Sequence, residues 1–189
     1  GVSDAGAIFA AEAQAAFDLG LALMGTDIKN AYNTMERLRI YREIRQHCPK
    51  LLRWFVCFMA DDSVLMQSDG VVVGTCKTGV VQGDPMSSFC YCYGFNPCIQ
   101  QIEASIKERH TAAGCDAEYV NSVKARAFAD DVIQFGKAHT LLQGVGECAA
   151  ILDDTANAEM TIRKSTLTIP PSVSDEEAAA AQVLAEELN

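Results

Sequence analysis

The sequence lacks long apolar runs and has few residues of the kind that build soft metal sites. None of its hydrophobic stretches approaches the ~18 residues of a membrane span, so no membrane partner is expected. The first residues, GVSD, carry no basic segment of a signal peptide, and an initial glycine favours a fragment or a processed chain. Only three histidines and no CxxC pair are present, which argues against a zinc site.

What remains is the composition of one folded domain. A chain of 189 residues that is 49% hydrophobic can bury a sizeable core. The eight cysteines mostly lie inside apolar runs, which predicts buried, reduced thiols in an intracellular protein, nuclear or cytoplasmic. The net charge of -10 argues at first against a nucleic-acid partner, but the excess acid is concentrated beyond residue 138.

The spacing of apolar residues predicts alternating helices and strands. Helices are expected over residues 5–19, 34–48, 50–60, 85–109 and 139–156 and after Ser174, and strands over 21–26, 63–67, 71–76, 119–128, 132–135 and 160–169. Thr34 is expected to cap the second helix and Pro85 to open the fourth. Gly94 and Pro97 are expected to bend or break that fourth helix.

Three arginines recur on the second predicted helix. Arg39, Arg42 and Arg45 are three residues apart and therefore lie near one helix face. The pattern is typical of a solvated face, and it also suits a stripe that contacts phosphates.

Carboxylates at strand ends form the candidate site. Of the three Asp-Asp pairs, only Asp130-Asp131 lies between two apolar strands, and Asp27 ends another buried strand. Adjacent carboxylates at a hairpin tip repel each other unless a cation lies beside them. Hard divalent ions take oxygen ligands, and two of them can clamp the oxygens of an in-line phosphoryl transfer. The sequence thus favours a magnesium site.

Three ordered motifs resemble those of reverse transcriptases. Residues 27–33 (DIKNAYN), 79–87 (GVVQGDPMS) and 128–131 (FADD) are similar to motifs A, B and C, and the combination is close to the polymerases of non-LTR retrotransposons. Residues 158–165 (AEMTIRKS) resemble motif D, with Thr161 where that family often has Asn. Viral RNA-dependent RNA polymerases place a second Asp where Tyr32 stands, so DNA synthesis is favoured.

The resemblance, which covers about residues 21–168, implies an α+β polymerase palm. Its antiparallel sheet would carry helices packed on one face around a ferredoxin-like core. Residues 1–169 would form the palm with fingers and thumb largely absent, and residues 170–189 an acidic, Ala-rich helical tail. RNA template, DNA primer, dNTP and the remainder of the polymerase are the implied partners.

The same resemblance assigns catalytic and metal-binding roles. Asp27, Asp130 and Asp131 would be the catalytic carboxylates. Asp27 and Asp130 would ligate two Mg²⁺ ions, with Mn²⁺ as an alternative, assisted by the backbone carbonyl of Ile28. Asp131 would complete the acidic cluster.

It also implies a nucleotide pocket. Tyr32 would be a steric gate under the sugar, and the backbone N–H groups of Asn30 and Ala31 would cradle the triphosphate. The remaining members of the pocket would be Gln82 and Gly83, which shape it, and Lys164, which neutralises or protonates the leaving pyrophosphate.

Other interpretations of these residues stay open at this level. Taken singly, Tyr32 is typical of a core residue, Gln82 of a loop and Lys164 of a surface charge. Two other classes of protein are a polymerase-derived module that binds nucleic acid or acts as a scaffold without turnover, and an unrelated α/β protein that binds a metal or a nucleotide.

Overall fold

The computed structural model describes residues 2–81, 84–128 and 131–188. Its helices are α1 (Val2–Asp18), α2 (Ala31–Thr34), α3 (Arg37–His47), α4 (Leu52–Met59), α5 (Pro85–Ala112), α6 (Ala117–Ser122), α7 (Ala138–Gln143), α8 (Val145–Ala156) and α9 (Asp175–Glu187). Its strands are β1 (Ala22–Lys29), β2 (Ser63–Met66), β3 (Val72–Cys76), β4 (Lys124–Phe128), β5 (Asp131–Gly136) and β6 (Glu159–Thr168). The order of elements confirms the predicted alternation of helices and strands.

The main sheet has four antiparallel strands in the order β4-β5-β1-β6. The two strands that carry Asp27 and Asp131, β1 and β5, are therefore the central pair. A separate two-stranded sheet, β2-β3, forms the hairpin predicted over residues 63–76. The fold is α+β, as the sequence predicts.

One face of the main sheet is covered by α5 and α8, where most of the core lies. Side chains alternate along a strand, so Met24 and Ile28 of β1 and Val132 of β5 share this face and are buried. The helices meet them with a fully enclosed apolar set: Tyr91, Phe95, Ile102, Ile106 and Leu152. Burial of this face fixes the strand register, because a slip of one residue would expose it.

Helix α1 covers part of the opposite face. Its Phe9 and Ala16 pack with Leu23 of β1 and with Ile133 and Phe135 of β5. The rings of Phe9 and Phe135 lie 6.4 Å apart in a tilted arrangement. The face that bears Asp27 is therefore closed by a helix at one end of the central strands.

Helix α5 runs unbroken through Gly94 and Pro97, so the predicted break does not occur, while a bend there stays a prediction. A Cβ on Gly94 would lie 2.7 Å from Cγ1 of Ile40 in α3. The missing side chain lets the two helices approach closely, and this contact offsets the hydrogen bond that a proline removes from a helix.

Two other boundaries also differ from the sequence prediction. Thr34 does not cap the long helix but ends α2, with its hydroxyl on the carbonyl of Asn30, and Glu36 is the N-cap of α3. The residues before β4 form helix α6 instead of a strand, because Asp116 caps that helix by accepting a 2.7 Å hydrogen bond from the backbone of Tyr119.

The last helix, α9, begins where predicted. The Ser174 hydroxyl accepts a hydrogen bond from the backbone of Glu177 at 3.3 Å. Ala181 is fully buried and packs with Ala22 of β1 and Leu142 of α7. Helix α9 thus adds to the sheet's helical layer.

All eight cysteines are free thiols, in line with the predicted reduced state. Burial raises the pKa of Cys90 and Cys98 to about 11 and that of Cys148 to about 12. Cys57 and Cys92 are exposed, so the expected burial holds for only part of the set. Across residues 2–81, 84–128 and 131–188, every helix is too short or too polar to cross a bilayer.

Candidate active site

Asp27 and Asp131 occupy matching positions on the two central strands. The last pair in the β1-β5 register is Thr26 with Val132, and Asp27 and Asp131 are the next residues on their strands. Both belong to the face opposite the buried Thr26 and Val132, with Asp27 half-buried and Asp131 exposed. The fold therefore brings together two carboxylates 104 positions apart in the sequence.

Asp131 also closes the β4-β5 hairpin, where it pairs with Phe128. The third predicted carboxylate, Asp130, lies outside the described part of the chain. Among the described residues, no group of three or more His, Cys, Asp or Glu side chains is arranged to hold a metal.

Lys164 reaches Asp27 from the neighbouring edge strand. Between two pairs of the β1-β6 register, Gly25 with Thr166 and Asp27 with Thr161, β6 advances by five residues while β1 advances by two. Lys164 lies in this bulge, and its Nζ is 3.8 Å from Oδ2 of Asp27. At 72% exposure the ammonium group remains free to move toward a ligand.

The carboxylate oxygens at this end of the two central strands are suitable ligands for a hard cation. Asp27 supplies carboxylate oxygens at 36% side-chain exposure, so a metal could reach them without unfolding a core. Asp131, beside it, adds a second carboxylate. The backbone of Ile28 follows Asp27 within β1, and its side chain is buried in the core, which fixes the strand at this point.

The turn after β1 is held in one conformation. Asn30 has φ 53° and ψ 31°, a left-handed conformation that asparagine tolerates better than most residues. Its carbonyl accepts hydrogen bonds from the backbones of Asn33 at 2.9 Å and Thr34 at 3.2 Å. Ala31 is buried at 3% exposure and packs in the main core, which anchors the single turn of α2.

Tyr32 lies flat against helix α5. Its ring stacks on that of Tyr91 with centroids 4.6 Å apart and planes 18° apart, and Tyr91 stacks in turn on Phe95 at 5.1 Å. The Tyr32 hydroxyl approaches Oγ of Ser88 at 3.3 Å. A ring held in this way has one fixed orientation, which a steric gate requires.

Tyr91 and Ser88 were missed by sequence reasoning. The available signal was the spacing of Tyr91 and Phe95, which are four residues apart on α5 and therefore share one helix face. Nothing in the sequence alone indicated that Tyr32 would be their partner.

The loop that follows β3 lies directly on the backbone of the Tyr32 segment. Val80 N donates to the Tyr32 carbonyl at 2.8 Å and Gly79 N to the Met35 carbonyl at 2.7 Å. Gly79 has φ 71°, and a Cβ there would collide with the carbonyl of Tyr32 and the backbone of Asn33. Close approach and positive φ both require glycine here.

This loop leads to Gln82 and Gly83, which lie outside the described residues. On their far side, Asp84 caps α5 by accepting a hydrogen bond from Met86 N at 2.9 Å, and Pro85 occupies the first helical turn, as predicted. Both ends of the segment predicted to shape the nucleotide pocket are thus fixed.

A charged pair protects the edge strand of the motif-bearing hairpin. Glu103 of α5 accepts a 3.1 Å hydrogen bond from Ala125 N of β4 and lies 3.3 Å from the Arg126 guanidinium. Its burial alone would raise its pKa, but the hydrogen bonds from Lys107 and Ala125 and the charges of Lys107 and Arg126 lower it overall. Because the backbone N–H of Ala125 is already bonded to Glu103, the edge strand β4 resists pairing with strands of other chains.

The three α3 arginines predicted to share a helix face, Arg39, Arg42 and Arg45, separate into two environments. Arg39 donates to the carbonyls of Asp154 and Thr155 at the C-terminal end of α8, so its role is structural. Arg42 and Arg45 are exposed, as a solvated face would have them. Phosphate contact by these two stays a prediction.

No protein-family profile and no curated protein sequence matches the chain. Its fold, however, resembles that of solved telomerases. A Candida albicans telomerase, in complex with a TWJ fragment of telomeric RNA, matches with TM-score 0.56 and 11% identity over 92% of this chain and 31% of its own. Apo telomerase from Candida tropicalis matches with TM-score 0.54 and 12% identity over 80% and 28%.

A third structure, apo Candida tropicalis telomerase truncated from its C-terminal domain, matches with TM-score 0.52 and 14% identity over 82% of this chain and 32% of its own. The chain thus spans about a third or less of these proteins. At such identities the likeness shows the fold alone, which is that of a polymerase palm.

Proposed function

We propose that this chain is the palm of a reverse transcriptase, an RNA-directed DNA polymerase of non-LTR retrotransposon type. The reaction is nucleotidyl transfer from a dNTP to a primer 3′-hydroxyl. The single observation that carries the proposal is the register of the central strands: Thr26 pairs with Val132, and the next residues on the two strands are Asp27 and Asp131, beside the hairpin that carries motif C. The ordered motifs A, B and C support it from the sequence.

Two Mg²⁺ ions would be held by Asp27, Asp130, Asp131 and the backbone carbonyl of Ile28. Bound there, they supply charge neutralisation for phosphate oxygens and lower the pKa of a hydroxyl that attacks. Asp27 and Asp130 ligate both ions in this assignment, and Asp131 completes the cluster. Mn²⁺ satisfies the same oxygen donors.

The remaining site residues bind and orient the nucleotide. Tyr32, fixed on Tyr91, sits under the sugar and excludes a 2′-hydroxyl. The backbone N–H groups of Asn30 and Ala31 donate to the triphosphate at the turn before α2. Gln82 and Gly83 would shape the nucleotide pocket.

Lys164 acts at the leaving group. Its Nζ is 3.8 Å from Asp27, so it already lies at the metal edge of the pocket, and it is exposed enough to turn toward a pyrophosphate. The ammonium group neutralises the developing charge there and can release its proton to the departing oxygen.

Template and primer binding would be shared with parts of the polymerase beyond the palm. The acidic balance of this chain provides little of the Lys and Arg surface that phosphate backbones require. We therefore assign most contacts with the RNA template and DNA primer to the fingers and thumb. The polymerase would act inside the cell, in the nucleus or the cytoplasm.

The test is primer extension by the full-length protein on an RNA template. We expect Mg²⁺-dependent incorporation of dNTPs that Asp130→Asn abolishes. The matched control is Asp153→Asn, which alters an exposed member of another Asp-Asp pair and should leave extension unchanged.

Normal binding of template and primer with no extension in Mg²⁺ or Mn²⁺ would contradict the enzymatic proposal. That result would instead favour a polymerase-derived module that binds nucleic acid or acts as a scaffold without catalysis.

A further inference from the structure

Arg37, the first residue of α3, links four parts of the fold. Its guanidinium group donates to backbone carbonyls near the end of α4, at the end of β3 and in the loop before α5, and to a hydroxyl at the start of β2. The acceptors are Gly79 O at 2.9 Å, Met59 O at 3.3 Å, Asp61 O at 2.6 Å, Ser63 Oγ at 3.0 Å and Cys76 O at 3.3 Å.

These five acceptors are neutral and lie around a half-buried side chain. The planar guanidinium has five N–H donors in a fixed fork, so one arginine can serve several carbonyls at once. A lysine has the charge but not the fork. The arrangement therefore depends on arginine itself as well as on a positive charge.

The contact with Gly79 connects Arg37 to the nucleotide pocket. Gly79 O accepts from Arg37, while Gly79 N donates to Met35 O and the neighbouring Val80 N donates to Tyr32 O. Thr78 Oγ1 adds a 2.9 Å bond to Asn33 O. Arg37 is therefore bonded directly to the loop that contacts the backbone of Tyr32.

We infer that Arg37 is a positioning residue for nucleotide selection, an inference that rests on the proposed function. It holds the loop of residues 78–81 against the Tyr32 segment and so sets the distance between the gate and that loop. It acts through Gly79 and Val80 and touches no substrate. Because the same guanidinium binds the base of the β2-β3 hairpin, that hairpin and the pocket share one support.

Arg39 provides a matched control two residues along the same helix. It also donates to backbone carbonyls, but those of Asp154 and Thr155 at the end of α8. Its removal costs hydrogen bonds to Glu36, Asp154 and Thr155, none of which belongs to the loop of residues 78–81. The two arginines therefore separate an effect on the pocket from a loss of stability.

The first experiment is steady-state primer extension by the full-length protein. Arg37→Gln should raise KM for dNTP about tenfold, the effect of losing one charge-assisted hydrogen bond, while kcat falls less. Discrimination against ribonucleotides should weaken in the same variant because the gate shifts. Arg37→Lys should recover only part of the KM change.

Arg39→Gln should lower the melting temperature to a similar degree and leave KM and sugar discrimination unchanged. If Arg37→Gln and Arg39→Gln reduce activity alike, in proportion to their folded fraction and with KM unaltered, the inference is overturned.

The second experiment does not depend on activity. Hydrogen exchange of the Gly79 and Val80 amides should accelerate about tenfold in Arg37→Gln and stay unchanged in Arg39→Gln. Equal protection of both amides in Arg37→Gln and wild type would overturn the link. A wild-type protein that fails to extend primers while these amides respond as expected would contradict the proposed function and leave the link from Arg37 to the loop supported.

Discussion

The two β-hairpins in the described part of the chain, β2-β3 and β4-β5, each carry an aspartate next to the turn but have very different surroundings. In β4-β5, Ala125, Val132 and Phe135 are buried between helices and the central strand β1. In β2-β3, Val64, Leu65, Met66, Val72 and Val73 are all at least half exposed. Strand propensity thus suits both hairpins, but packing on a larger sheet makes only β4-β5 part of the core.

The difference also separates their acidic turns. Asp131 of β4-β5 lies opposite Asp27, whereas Asp69 in the turn of β2-β3 accepts a hydrogen bond from Val71 N at 3.0 Å and serves that turn alone. Whether an aspartate beside a hairpin turn can contribute to a metal site therefore depends on which side chains lie next to it in the sheet.

The sharpest test of this comparison exchanges one carboxylate for an amide in each hairpin. Asp131→Asn should reduce primer extension by the full-length protein at least about hundredfold, because it removes a charge from the proposed metal cluster. Asp69→Asn keeps a side-chain oxygen for the turn and should leave extension within about twofold. Equal activity of the two variants would show that Asp131 does not take part in catalysis.

Burial predicts a second contrast, in stability. Val132→Ala deletes two methyl groups from a fully buried position and should lower the free energy of unfolding by about 2 kcal/mol. Val72→Ala, at a position 57% exposed, should change it by less than about 0.5 kcal/mol. Chemical denaturation of both variants checks this, and similar losses would show that β2-β3 is packed in the full-length protein.

The smallest predicted effect concerns pH, because the two hairpins are anchored by different side chains. Buried His110 accepts a 2.9 Å hydrogen bond from Lys137 N just after β5, whereas the base of β2-β3 is held by the Arg37 guanidinium group. Burial, together with the charges of Arg109 and Lys137, lowers the pKa of His110, although a hydrogen bond to Ile106 O opposes the shift.

Since the folded pKa lies below the unfolded one, the unfolded chain takes up the proton first on acidification. This contribution to stability is complete above the ordinary histidine pKa of 6.5 and is lost as pH falls toward the folded pKa. We expect the free energy of unfolding to fall by up to about 1.4 kcal/mol per pH unit there, a slope that His110→Gln should reduce. Urea titrations at several pH values measure it, and an unchanged slope in the variant would assign it to other groups.

Much of the secondary structure could be predicted because its signals are local. The Ser68-Asp69-Gly70 turn indicated β2-β3, Pro85 marked the start of α5, and Ser174 capped α9. The errors occurred where a distant contact or an overlooked cap decided the outcome. Gly94 permits a close helix contact instead of breaking α5, and Asp116 makes a helix of residues that alternate like a strand.

The candidate site divides in the same way. Its residue types and their order were readable from the sequence, since acid-aromatic spacing, a QGDP segment and an FADD box are contiguous patterns. The stack of Tyr32 on Tyr91 and the hydrogen bond from Arg37 to Gly79 join residues 42 or more positions apart. No local sequence pattern predicts such contacts.

Short-range turn, cap and strand signals were enough to assign Asp27, Asp131 and Tyr32 to definite elements and to predict their chemistry. Which of these side chains meet depends on contacts between distant parts of the chain. The β1-β5 register leads past Thr26 and Val132 to Asp27 and Asp131, and a bulge in β6 brings Lys164 to 3.8 Å from Asp27. Local patterns do not reveal such contacts, because register is fixed by burial of a whole sheet face, a property of all strands and helices together.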